Sequence, residues 1–410
     1  MDKNKKRDDI LFSEEIIDNL ELKKTIKIPV VNRLSNINIQ WMDTREKNIN
    51  QTLFYLNDIK NKIESLDENV WIRIRKYINI YESPLENYQQ QYTKQKKHNP
   101  ISRAYYKLKE ILIDFKINCN CNSFHIAESP GGFIQAVIEY KNKKYCFNDK
   151  NKCYTVSLEK NNYDIPSYHN SIINNIFVKI LNKSINDSFN GDVTNIKNMI
   201  VMIEYFKKNN IQLSFITADG GINDSDNFND KEINHINLIF SEIVLGLSVL
   251  ENNGTFVIKI FDIYTKSMKH IIYLLSYLFE SVYITKPLTS RCTNSEKYIV
   301  CNKFKKERFC PISNTLFKVC IDINDNNGVI YSLFDCIPNS IFNMLYQYNE
   351  YISKIQAYYI TQTLDFIKYI ECYFPLYKND PSYLYNYSFF TIGFNKKKKL
   401  LNKKWNEKYG

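Results

Sequence analysis

From residue 101 onward, short apolar runs alternate with helix-patterned stretches, and this alternation restricts the fold of the 410-residue chain more than any other feature. The spacing predicts strands at 123–127 (SFHIA), 153–158 (CYTVSL), 213–218 (LSFITA), 254–261 (GTFVIKIF), 282–286 and 297–301 (KYIVC). Helical periodicity fills the gaps at 101–115, 133–140, 196–208, 232–250 and 266–279. Strands joined through helices pair in parallel, so the chain reads as an α/β protein with a doubly wound sheet. In such sheets, ligands sit outside the carboxyl ends of the strands.

The alternation fills only the middle of the chain. Residues 1–95 are polar and rich in Lys and Asn, with helical spacing at Leu53, Leu56, Ile59, Ile63, Leu66, Val70 and Ile74. Ser13, followed by Glu14 and Glu15, suits the start of an earlier short helix. The basic stretch 92–100 (YTKQKKHNP) reads as an exposed boundary. Beyond about residue 305 the segments turn Tyr-rich, with one long helix expected at 340–372 after Pro338. Three parts are therefore expected: a helical extension at 1–95, the α/β domain at 96–304, and a second extension with a basic tail at 305–410.

Composition removes several classes. Hydrophobic residues make up 44% of the chain, enough for a substantial core. The apolar stretch 271–279 is too short for a bilayer and 236–250 too interrupted, so no membrane partner is expected. The first residues, MDKNKKRDDI, lead into no apolar signal segment. Ten scattered Cys suit reduced thiols in a soluble, intracellular protein. Cys119 and Cys121 form the one close pair, without the second pair a zinc site needs, and no metal is expected. The formal charge of +11 fits an anionic partner, but the wealth of Lys, Asn, Ile and Tyr is what an AT-rich genome encodes. The tail 395–410 alone carries seven Lys against one Glu.

Four local features bear on chemistry. Ala127-Glu128-Ser129-Pro130-Gly131-Gly132-Phe133 follows a predicted strand and opens a helix, where glycines admit a ligand and free N–H groups meet an anion. Taken alone, it is as readily a plain turn. Asp219 ends a strand in TADGG, a position that aims a carboxylate into the crevice or simply builds a turn. Lys259 interrupts the apolar run VIKIF; a lysine flanked this way is either buried and paired or on an edge strand facing water. Glu296 sits in KPLTSRCTNSEKY (286–298), where a lone glutamate is ordinarily a surface residue.

Together with Ser102-Arg103-Ala104-Tyr105-Tyr106-Lys107-Leu108 and Gly191-Asp192-Val193-Thr194, these segments, in this order, resemble the FtsJ/RrmJ superfamily of S-adenosylmethionine-dependent RNA 2′-O-ribose methyltransferases. The resemblance covers residues 100–304. It implies a Rossmann-like methyltransferase fold, mostly parallel with one antiparallel strand, between helical extensions. It maps the family's Lys-Asp-Lys-Glu tetrad onto Lys107, Asp219, Lys259 and Glu296. By this resemblance Lys259 is the general base or hydroxyl-orienting group, with burial and Lys107 expected to lower its pKa. Asp219 aligns Lys259, while Lys107 and Glu296 hold the hydroxyl and each other. The implied contacts to S-adenosyl-L-methionine are Glu128, Pro130, Gly131, Gly132, Phe133, Asp192 and Asp219. Glu159, just after the second strand, is a candidate for the ribose hydroxyls, as acids at that point are in such folds.

The E-x-P-G-G-F loop, the D-G-G turn and the K-P-x-x-S-R-x-x-N-S-E-x-Y segment are most similar to the cap-specific (cap-1) branch, as found in large DNA viruses. Ser129 departs from the family's usual Ala, a small residue for a small one. The implied partner is RNA, in the form of 5′-capped mRNA, with other capping enzymes alongside. The implied setting is the cytoplasm, a viral factory or a virion. A ribosomal- or transfer-RNA methyltransferase and a non-catalytic RNA-binding scaffold of the same fold stand as alternatives. The basic stretch 396–404 is open to two uses, contact with RNA backbone or a solvated charge run.

Overall fold

A computed structural model describes residues 25–42, 51–84, 99–144, 151–159, 165–185, 189–222, 231–326, 329–373, 375 and 389–410. The short helix expected after Ser13 and most of the boundary 92–100 lie outside these residues. In chain order the first elements are β1 (Thr25–Ile28), β2 (Ile37–Met42), α1 (Gln51–Glu64), α2 (Glu68–Ile78) and α3 (Ala104–Asp114). Then come β3 (Ser123–Ile126), α4 (Gly132–Lys144), β4 (Cys153–Val156), the single-turn α5 (Asn170–Ile173), β5 (Val178–Ile180) and α6 (Ile196–Lys208). They are followed by β6 (Leu213–Ala218), α7 (Lys231–Val249), β7 (Leu250–Ile260), α8 (Lys266–Leu278), β8 (Phe279–Thr285) and β9 (Lys297–Phe304). Last are α9 (Lys306–Asn326), β10 (Val329–Phe334), α10 (Asn339–Tyr373) and α11 (Phe389–Tyr409).

One sheet has eight strands in the order β1-β8-β9-β7-β6-β3-β4-β5. The stretch from β5 through β4, β3 and β6 to β7 is parallel. β9 runs antiparallel between β7 and β8. The mostly parallel, doubly wound sheet read from the alternation is therefore present. Two edge strands escaped it. β5 has only three residues, and β1 comes from the segment that read as helical. β1 pairs antiparallel with β8, and its four residues TIKI are too few to display a period. β2, from the same segment, pairs with β10 in a separate two-stranded sheet.

Both faces of the large sheet are covered, which is why its strands read as apolar runs. Side chains of α6, α7, α8 and α9, among them Phe206, Phe240 and Ile271, cover one face. The other face meets α3, α4 and α11 through Leu108, Phe133 and Trp405. Period-two alternation decides which strand residues go where. In β6 and β7, Ile216, Ala218, Ile258 and Ile260 join the first core, while Phe215 and Val257 join the second. Asp219 and Lys259 continue the series of Phe215 and Val257, so they point to the α3 side. Helices α1, α2 and α10 form a third core around Trp71, Ile74 and Ile360.

The basic tail is the outer face of a docked helix. Leu401, Trp405 and Tyr409, four residues apart, place one buried stripe of α11 against α3. The Trp405 Nε1–H donates to Glu110 Oε1 at 3.0 Å, and Lys408 pairs with Asp114 at 2.8 Å. Lys396, Lys399, Lys403 and Lys404 face outward. No described helix is long and apolar enough to cross a membrane.

Candidate active site

Parallel pairing sets Ala218 beside Ile258, so Asp219 and Lys259 leave neighbouring strands at the same carboxyl edge. The Lys259 ammonium lies 3.3 Å from Asp219 Oδ1 and donates to the Asp219 carbonyl at 2.5 Å. Across the antiparallel pair, Lys259 is the register partner of Tyr298, which puts both side chains on one face. Lys107, on α3, pairs with Glu296 Oε1 at 2.6 Å. The Tyr298 hydroxyl donates to Glu296 Oε1 at 2.9 Å and lies 3.3 Å from Asp219 Oδ1. Lys107, Asp219, Lys259 and Glu296 thus come together from α3, two strand ends and one loop, and Tyr298 ties the two ion pairs into one network. Sequence reasoning quoted that tyrosine within its motif but gave it no role.

Two further carboxyls sit behind the network. Glu128 Oε1 accepts the Phe133 N–H at 2.8 Å, and Glu242 Oε1, from α7, accepts the Gly220 N–H at 3.0 Å. Burial, then Asp219, raises the Glu128 pKa well above the carboxylate range. Burial pushes Glu242 up to about 8, with Lys259 partly offsetting it. Glu296 goes the other way: burial alone would raise it, but Lys107 and then Lys259 hold it well below its ordinary value. Burial thus shifts Glu128 and Glu242 toward their neutral acids, whereas Glu296 stays ionised beside Lys107.

The expected lowering of the Lys259 pKa is overturned. Burial does disfavour its ammonium, but Asp219, Glu296 and Glu242 together outweigh burial and raise its pKa. At rest Lys259 is charged.

A cleft of about 650 Å³ opens at this edge, a size that suits a nucleoside-bearing ligand. Asp219, Lys259, Ser157, Gly191 and Asp192 line it, with Ala127 and Ser129 also in its wall. Leu158, Ile165 and Val193 add apolar surface. Asp192 Oδ1 also accepts from the Thr194 N–H at 2.9 Å and the Thr194 hydroxyl at 2.7 Å, which fixes its side chain.

The remaining candidates lie elsewhere. The Glu128 carboxyl is 1% exposed and turned into the loop. Pro130, Gly131, Gly132 and Phe133 are absent from the residues lining the cleft, and so is Glu159, an exposed side chain whose own N–H bonds to the Asn190 carbonyl. The glycines are also needed for the protein's own packing. Gly131 has φ +112°, and a Cβ on Gly132 would meet Ser102 Oγ at 2.3 Å, so only glycine lets α4 start against α3. Phe133 is fully buried, its ring 5.9 Å from that of Tyr298.

The 286–296 loop is held by buried charges, Lys286 from its own motif and two acids that lie outside every motif. Lys286 donates to the carbonyls of Asn294 (2.8 Å) and Glu296 (2.9 Å) and to Ser290 Oγ (3.1 Å). Glu110 accepts the N–H groups of Leu288 (2.6 Å) and Thr289 (2.9 Å). Glu82, just past α2, pairs with both Arg103 and Arg291, the arginines of the two S-R motifs. No motif marks Glu82 or Glu110; Arg103 and Arg291 were the available signal, since buried guanidiniums require a carboxylate.

A sequence model of the FtsJ-like methyltransferases matches residues 100–304, half of the chain. The African swine fever virus protein named "Probable methyltransferase EP424R" is 27% identical over 287 residues, covering 68% of this chain and 64% of the viral protein. The "Cap-specific mRNA (nucleoside-2'-O-)-methyltransferase 1" of Xenopus laevis is 33% identical over 166 residues, 40% of this chain and 20% of that protein. The corresponding methyltransferase 2 of Drosophila melanogaster is 30% identical over 192 residues, 45% of this chain and 27% of that protein. The chain spans less than two thirds of the length of each of these relatives.

Proposed function

We propose, from the premise that the chain belongs to the FtsJ-like methyltransferase family, that it methylates a ribose 2′-hydroxyl of RNA at the cap-proximal nucleotide of mRNA. One observation carries this: the Tyr298-linked tetrad contributes two of its members, Asp219 and Lys259, to the wall of the cleft. The preference for cap over ribosomal RNA rests on the likeness to proteins named cap-specific. S-adenosylmethionine, the donor of this family, supplies an electrophilic methyl on a sulfonium cation when bound. Asp219 and Asp192, with the Ser129 and Ser157 hydroxyls and the apolar Leu158 and Val193, would hold it. Glu128 and Pro130–Phe133 act by fixing the shape of the loop beside it.

Lys259 and Glu296 orient the attacking hydroxyl, and Lys107 keeps Glu296 ionised. Lys259 is charged in the free protein, so it becomes a base only when positive charge enters the cleft and pushes its pKa down. Loading the site thereby creates the proton acceptor the reaction needs. Residues 96–304 are the catalytic unit in this scheme, and the described parts of the segments at 1–95 and 305–410 brace it. The viral relatives support a viral setting; the cytoplasm, a factory or a virion, and other capping enzymes as partners, belong to the same proposal.

The test is transfer of labelled methyl to capped, uncapped and ribosomal RNA, with alanine variants of Lys107, Asp219, Lys259 and Glu296. Incorporation that requires a 5′ methylguanosine and fails in Lys259→Ala is the expected result. Transfer into structured RNA regardless of cap moves the protein to the ribosomal- or transfer-RNA class. RNA binding with no transfer marks a scaffold.

A further inference from the structure

Glu242 lies in α7, directly behind the Asp219–Gly221 turn, and is completely buried. The turn closes so tightly on it that a Cβ at Gly220 would lie 2.2 Å from its Oε1. That oxygen accepts the Gly220 N–H; the other, Oε2, is buried with no hydrogen-bond partner among the described residues. A carboxylate with one bare oxygen in such a place is costly, and the neutral acid much less so. Lys259 from β7 and Asp219 from the turn face this carboxyl. Beyond them stand Glu296, Glu128 and Lys107. On the α9 side lies the Cys320 thiol, which burial pushes up to about 12 and so keeps neutral.

We infer that Glu242 is a positioning residue that fixes the Gly220 amide and, by keeping or losing its own proton, governs whether Lys259 keeps its. The inference rests on the assignment of Lys259 as acceptor of the hydroxyl proton. As the O–C bond forms, the methyl–sulfur bond of the sulfonium donor would break with its electron pair going to sulfur, and the O–H bond yields its proton to the Lys259 amine. A neutral Glu242 leaves that amine attainable. An ionised Glu242 adds an anion beside the ammonium and holds the proton there.

An infrared titration of the full chain, following the protonated-carboxyl band that Glu242→Gln removes, tests the coupling without any activity. Glutamine keeps an acceptor for Gly220 and nearly the same shape. The band is expected to disappear on alkalinisation with a midpoint near 8. In Lys259→Met the midpoint should rise by on the order of 1 pH unit, because the opposing charge is gone. A midpoint indifferent to Lys259, or no such band, overturns the inference. The second arm is methyl transfer against pH: in Glu242→Gln the rising limb should move to lower pH. A slower enzyme with an unmoved limb would make Glu242 merely structural. Coupled titration in a wild-type chain that transfers no methyl sinks the methyltransferase assignment and leaves the Glu242–Lys259 link standing.

Discussion

Two charged clusters are built from the same two pieces of chain. Arg103 and Lys107 stand one turn apart where α3 begins, and Arg291 and Glu296 belong to one loop. Lys107 and Glu296 turn toward the sheet and meet Asp219 and Lys259 through Tyr298. Arg103 and Arg291 turn the other way and share Glu82. Burial does not distinguish them: side-chain exposures are 13–15% in the first cluster and 16–22% in the second. Proton chemistry does. Arginine stays charged, and the forked Arg291 contact occupies both Glu82 oxygens. Lysines and crowded carboxyls, by contrast, trade protons as their surroundings change. One cluster is a rivet; the other is a site.

Four measurements press on that contrast. Lys259→Met should lower methyl transfer by about 10²- to 10⁴-fold while the urea midpoint stays near wild type; a folded, fully active variant would erase the distinction. Glu82→Ala should do the reverse. Leaving two guanidiniums without their anion costs about 3–5 kcal/mol in equilibrium unfolding, with transfer per folded molecule nearly unchanged. Tyr298→Phe removes a hydrogen bond to ionised Glu296 and should slow transfer by about 10- to 100-fold, with little effect on cofactor affinity.

The smallest effect is on the pH dependence of stability. Glu242 has its folded pKa raised from 4.5 to about 8, so its contribution is full below 4.5 and is lost as pH rises toward 8. Glu82 is held below its ordinary value, so its contribution is present above 4.5 and is lost as pH falls. Thermal unfolding of Glu242→Gln should therefore show a flatter decline between pH 4.5 and about 8, and Glu82→Ala should leave that decline alone.

The sheet was legible because buried parallel strands are short apolar runs set between helices, and SFHIA, LSFITA and GTFVIKIF announce themselves. β1, β2 and β5 were not, since three to six residues at an edge offer too little pattern. The tetrad was legible as separate motifs whose meeting the strand ends enforce. Glu82, Glu110 and Glu242 were invisible: each is a single acid in an ordinary helix or loop, and only the partner across the fold gives it meaning. The docking of the tail was hidden for a different reason. Its lysines dominate the composition, yet the stripe Leu401, Trp405, Tyr409 sets where it lies.

Glu110 joins that tail to the catalytic loop, since the carboxyl that receives the Trp405 indole also receives the N–H groups of Leu288 and Thr289. Glu82 does the same from the other flank. A fragment cut at residues 100–304 would keep every motif, yet it would present two guanidiniums with no anion between them and a Glu110 stripped of one donor. Inheritance preserves the chemistry as one contiguous stretch; mechanical support for it comes from residues on either side of that stretch.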